Sequence, residues 1–174
     1  CVGDDGTHES FVSDLGVACG LAFSPDGTLY VGDRSGTIFR VSTSGQAVPF
    51  AALPASVAAF HLAEGPDGCL YVTAPTLSPC DSVYRVDQNG KVESLCSLFG
   101  RPQGLAFDAH GHLYVVEALA GLSGVYRIDK DGTISLVLAA LGLVGLAFDP
   151  SGGMIVVSND TAYRLNVPLL PFRG

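Results

Sequence analysis

At 174 residues, 48% of them hydrophobic and only 15% charged, the chain fits one folded domain and is too apolar to stay disordered. Seventeen acidic residues against nine basic ones leave a net charge of −8, which argues against nucleic acid and against an anionic membrane surface as partners. The longest apolar stretch, 136–148, is broken by Gly142 and Gly145 and falls short of the roughly 20 residues that cross a bilayer as a helix.

Along the chain, residues 1–15 read as one outer strand, and four similar units follow at about 19–52, 60–97, 103–139 and 144–166. The units open with "GLAFSPDGTLYV" at Gly20, "HLAEGPDGCLYV" at His61, "GLAFDAHGHLYV" at Gly104 and "GLAFDPSGGMIVV" at Gly145. Their turn glycines Gly27, Gly68, Gly111 and Gly152 are 41, 43 and 41 residues apart. Each continues with an aromatic–arginine strand: "TIFRV", "SVYRV", "GVYRI" and "TAYRL". Three add a polar turn and an outer strand, as in "STSGQAVPFAAL". Asp-Gly, Asn-Gly and Ser-Gly pairs supply the positive φ angles of hairpins, and no capped stretch of helical period intervenes. Four short strands per repeat of this length predict an all-β propeller, a single domain over 1–174 built of four four-stranded blades.

The fourth unit stops after its third strand, whereas the N-terminal "GDDGTHESFVSDL" aligns with the outer strand of the first unit through Gly6 and Gly45. That segment is expected either to supply the outer strand of the last blade or to finish a blade lost before it. A closed ring, a fragment of a six-bladed ring and an assembly of chains through open blade edges, as a homo-oligomer, all fit this pattern. The five cysteines have no CxxC spacing, so a zinc site is not expected. A Cys80–Cys96 bridge is one option and plain thiols the other. The compartment is left open.

The pairing of "GLAFSPDGTLYV" with "RSGTIFRV" resembles the NHL-repeat propellers and the superfamily of gluconolactonase, senescence marker protein and luciferin-regenerating enzyme. That resemblance implies a six-bladed relative, a divalent cation such as calcium held in the channel by a Glu, two Asn and an Asp, and hydrolysis of sugar lactones or related esters. Carried onto this chain, the ligand slots before the innermost strands fall on Cys19, Phe60, Gln103 and Val144, and those after the second strands on Asp33, Ala74, Glu117 and Ser158. Only Gln103, Asp33 and Glu117 offer oxygen ligands suited to the family's cation, so its quartet is not reproduced.

The repeat breaks its own rule at two places in the second unit. His61 replaces the glycine found at Gly20, Gly104 and Gly145, and Glu64 replaces the phenylalanine found at Phe23, Phe107 and Phe148. Such breaks are where function is sought. His61 is a candidate ligand-binding or catalytic group in the channel, whereas Glu64, on the opposite face of its strand, reads as a residue between blades. Loop residues after the second strands gather on one rim. Asp33, Arg34 and Asn159 are candidate ligand-binding residues there and Gln103 another before its innermost strand, Asp33 and Glu117 candidate metal ligands, and Glu117 a second catalytic candidate. Arg40, Arg85, Arg127 and Arg164 recur in one slot and are expected to pair structurally with a neighbouring blade. His110 and His112 flank a turn glycine with no acid read at ligand spacing. The leading expectation is a propeller that binds a small molecule or a protein at its channel mouth and rim. The alternatives are a metal-dependent lactonase or esterase, a hydrolase, and a structural assembly module.

Overall fold

The computed structural model describes residues 3–119 and 123–165, which form antiparallel sheets without a helix. The first sheet holds β1 (Ala18–Phe23), β2 (Leu29–Asp33), β3 (Thr37–Val41) and β4 (Ala47–Ala52). The second holds β5 (His61–Glu64), β6 (Leu70–Thr73), β7 (Asp81–Val86) and β8 (Val92–Phe99). The third holds β9 (Pro102–Phe107), β10 (Leu113–Glu117), β11 (Gly124–Ile128) and β12 (Ile134–Ala139). The fourth holds β13 (Gly145–Phe148), β14 (Met154–Val157) and β15 (Ala162–Leu165). Strand order in every sheet follows chain order, so each blade is a meander. The all-β propeller read from the sequence is therefore the fold observed.

The hairpins form for local reasons. At the β1–β2 turn Gly27 adopts φ +86°, its N–H donates to the Ser24 carbonyl at 2.9 Å, and the Asp26 carboxylate accepts from the Thr28 N–H at 2.9 Å. Strand alternation then gives each blade two apolar faces. One face of the first blade (Ile38, with Tyr30 and Ala22) packs on Leu62, Leu70, Val72 and Val86 of the second. The second meets the third through Val83 against Leu105, Leu113 and Val115, and the third meets the fourth through Tyr114, Val116 and Val125 against Met154 and Val156. The innermost strands approach so closely that glycine is required. A Cβ on Gly20 would overlap the Phe60 carbonyl, and one on Gly104 would lie 2.7 Å from the Gly145 Cα.

Residues 3–15 do not join the described strands of the fourth sheet, which number three. Val12 and Leu15 instead pack on Leu29, Val31 and Val41 of the first blade. The Phe11 carbonyl sits against Gly45, as the Phe50 carbonyl of β4 sits against Gly90 of the next blade. The segment thus lies where the outer strand of a preceding blade belongs. Pairing of that segment with 166–174 lies outside the described residues. The inner part of the same face is uncovered, with Leu21 62% and Phe23 67% exposed, whereas Leu62 and Leu105 at the equivalent of Leu21 are buried.

One further expectation changes. The recurring arginines do not bridge blades: Arg85 pairs with Asp67 at 2.8 Å and Arg164 with Asp149 at 2.5 Å, each inside its own blade, while Arg40 lies 5.5 Å over the Phe50 ring. The strand bearing the arginine runs directly beside the turn bearing the acid, and this short path wins over a longer one to the neighbour. Of the two cysteine options read from the sequence, the plain thiols are observed, since Cys80 and Cys96 are both free.

Candidate functional site

The four innermost strands border an open cavity of about 600 Å³, lined by residues of β1, β5, β9 and β13 and by Phe60. Its wall is glycine and apolar at Gly20, Leu21, Gly104, Leu105, Gly145 and Leu146, and His61 stands among them. His61 pairs with Thr73 of β6, which anchors its backbone at the start of β5. Burial pushes the imidazole below its ordinary pKa, and hydrogen bonding with the Gln103 side chain offsets this only in part. The ring is therefore neutral near pH 7, able to donate from one nitrogen and accept at the other. Gln103 is half-buried on β9, and its carbonyl accepts from the Thr73 hydroxyl, linking the second and third blades.

The two acids proposed for the rim are both buried and accept hydrogen bonds from backbone amides. Asp33 is 6% exposed and accepts from the Val17 N–H at 2.7 Å and from the Ser35 hydroxyl. The Ser35 bond, followed by those from backbone amides, holds its carboxyl below the usual range against the opposing effect of burial. Glu117 is 1% exposed and accepts from the Arg101 N–H at 3.2 Å and the Leu119 N–H at 2.6 Å. Both carboxylates thus tie the end of a second strand to the chain that leads into the innermost strand of the same blade. Asp81 organises the loop before β7 in a similar way, accepting from the Thr76 N–H at 3.0 Å and the Thr76 hydroxyl at 2.6 Å.

Arg34 is exposed and donates to the Val57 carbonyl at 3.1 Å, and Asn159 is exposed on the loop after β14. Of the residues singled out in the sequence, the structure brings together His61 and Gln103 and leaves Asp33, Glu117, Arg34 and Asn159 apart from that pair in role. Cys19, in a family ligand slot, is engaged in the blade joint: its sulfur accepts from the Phe60 N–H at 3.3 Å and lies 3.6 Å from the Gly32 carbonyl as a donor. Three more of these slots hold Phe60, Ala74 and Val144, which have no ligand atom in the side chain. This donor set does not fit the divalent cation that the family resemblance implies.

Glu64 faces the joint between blades, not the channel. It accepts a hydrogen bond from the Ser24 hydroxyl of the first blade. One ligand cluster was missed in the sequence. Asp108, His110 and His112 have their ligand atoms within 4.8 Å of one another, at the end of the innermost strand remote from His61 and Gln103. The signal was present as D-x-H-x-H around Gly111, but the aspartate looked like a turn residue only.

A family model described as "Strictosidine synthase-like, N-terminal" matches residues 20–41. No protein of curated function matches the chain. Among solved structures, a gluconolactonase from Xanthomonas campestris superimposes with a TM-score of 0.74 at 19% identity, over 92% of this chain and 62% of that one. A PQQ-bound aldose sugar dehydrogenase from Streptomyces coelicolor gives 0.68 at 20% identity, over 85% and 58%. Virginiamycin B lyase from Staphylococcus aureus gives 0.63 at 15% identity, over 87% and 56%. The chain has the gluconolactonase-like β-propeller fold, and it spans about half to three fifths of the length of these structures.

Proposed function

We propose that this chain is a small-molecule-binding propeller whose site is the cavity at the centre of the four innermost strands. The observation that carries the reading is the neutral, half-buried His61 set in an otherwise glycine and apolar wall. A volume of about 600 Å³ suits a small organic guest, and a lining with few polar groups favours a neutral one with an apolar body. His61 and Gln103 would orient such a guest by hydrogen bonding. Screening neutral small molecules, sugar lactones among them, by thermal shift and calorimetry tests this. Ligands are expected to weaken about tenfold in His61→Ala, the loss of one buried hydrogen bond. Ligands that bind His61→Ala as tightly as the parent chain would sink the reading.

A second reading, hydrolysis of lactones or related esters with a divalent cation, is supported by the likeness of fold to a gluconolactonase. The side chains named above give it no acid free to act on a guest beside His61. Calcium-dependent lactone turnover that disappears in His61→Ala would favour hydrolysis. Turnover at the uncatalysed rate, with and without calcium, would remove it.

A further inference from the structure

The turn between β9 and β10 departs from those of the second and fourth blades, where the arginine of the same blade pairs with the first carboxylate of the turn. In the fourth blade, Asp149 uses Oδ1 to accept from the Ser151 and Gly153 N–H groups at 2.8 and 2.9 Å, and Arg164 of the same blade neutralises Oδ2 at 2.5 Å. In the third blade, Asp108 holds the turn identically, with Oδ1 accepting from the His110 and His112 N–H groups at 2.9 Å each. Its Oδ2 is not taken by the arginine of the blade. Arg127 turns instead to Asp129, 3.0 Å away. The Asp108 Oδ2 atom faces the His112 Nδ1 at 2.9 Å, the Tyr114 hydroxyl at 3.2 Å and the His110 Nδ1 at 3.9 Å. Ser151 and Gly153 stand where the two histidines do, so the imidazoles are peculiar to this blade, whereas the arginine is turned from the turn acid in the first blade as well.

We propose that Asp108, His110 and His112 form a binding site for a divalent transition cation, zinc being the natural occupant. Ligand atoms about 2.0–2.2 Å from one zinc ion lie roughly 3–3.5 Å apart in a tetrahedral shell. The His112–Asp108 separation of 2.9 Å already matches that spacing, and the 3.9 Å to His110 closes by a small rotation of a side chain that is 81% exposed. The carboxylate oxygen has lost its fixed arginine partner and faces two groups that can be either proton carriers or ligands. Two imidazoles and one carboxylate select zinc, nickel or copper over calcium and magnesium, which prefer all-oxygen shells. Exposure of His110 leaves the remaining coordination positions to water or to an oxygen or nitrogen donor from outside. Asp108 also borders a cleft formed with Phe23, Glu64, Pro66 and Phe107, so the cation would sit at the mouth of that cleft.

The test is calorimetric titration of the untagged, metal-free full chain with zinc chloride, and with calcium chloride in parallel. One zinc per chain and no saturable calcium binding are expected. His110→Ala and His112→Ala should each weaken zinc at least about tenfold, the scale of losing a metal-positioning group. Thermal denaturation of the metal-free His110→Ala chain should match the parent, since that side chain has few contacts. Free cysteines are competing ligands, so cobalt is added as a spectroscopic probe. Bound at this site it shows no thiolate charge-transfer band. No saturable zinc binding, zinc binding unchanged in both histidine variants, or a thiolate band lost on blocking the cysteines would each overturn the proposal.

Discussion

Tyr71 meets Phe107 edge to face, with ring centroids 4.9 Å apart and planes at 76°. The pair joins the second blade to the third, and Tyr114 and Phe148 repeat it between the third and fourth at 5.0 Å. Between the first and second blades the phenylalanine is Glu64, so Tyr30 packs on Phe50 instead, at 5.1 Å. Phe23 occupies the equivalent place on the open face of the first blade and is 67% exposed.

The same substitution should therefore give opposite results at two equivalent positions. Phe107→Ala removes buried area and an aromatic pair and is expected to cost about 2 kcal/mol, below the full range for a completely buried ring. Phe23→Ala should stay within about 0.5 kcal/mol. Urea denaturation of both variants checks this. A loss at Phe23 as large as that at Phe107 would mean that the first blade is covered in solution.

Glu117 should behave as a structural carboxylate. Glu117→Ala strands the Arg101 and Leu119 N–H groups in a partly buried setting and is expected to cost about 1–3 kcal/mol. Glu117→Gln keeps an acceptor oxygen and should cost less than half of that. Chemical denaturation reads both, and equal losses in the two variants would show that charge, not acceptance from the amides, matters.

His61 sets a pH dependence whose sign follows from its lowered pKa. The unfolded chain titrates near the ordinary histidine value of about 6.5, and the folded chain below it. Above that value the imidazole is neutral in both states and the burial of the ring is fully tolerated. As pH falls through it, the unfolded state takes up its proton first, so stability declines until the folded ring is also protonated. The melting temperature of the parent chain should fall more between pH 7 and pH 5 than that of His61→Gln. Parallel curves would place the ring in solvent.

The propeller was legible because its determinants are short-range or periodic. Glycines at one turn position, the "LYV" alternation and the aromatic–arginine strand each act within a few residues, and their recurrence identifies the blade. His61 was legible as a departure from that rule. The engagement of Asp33 and Glu117 was not legible, because Val17 and Arg101 lie 16 residues away in sequence and reach them through backbone amides, which carry no side-chain signal. The histidine cluster was hidden for a related reason. Whether Asp108 meets Arg127 or His112 depends on which way one arginine turns.

The amino-acid order alone determined the repeat, its hairpins and the glycine-lined inner strands, since backbone conformation at a turn is a property of the residues in it. Only the folded molecule decided which polar groups are committed and which can meet a guest or a cation. A carboxylate's chemistry is set by the donors packed around it, and those donors arrive from other strands.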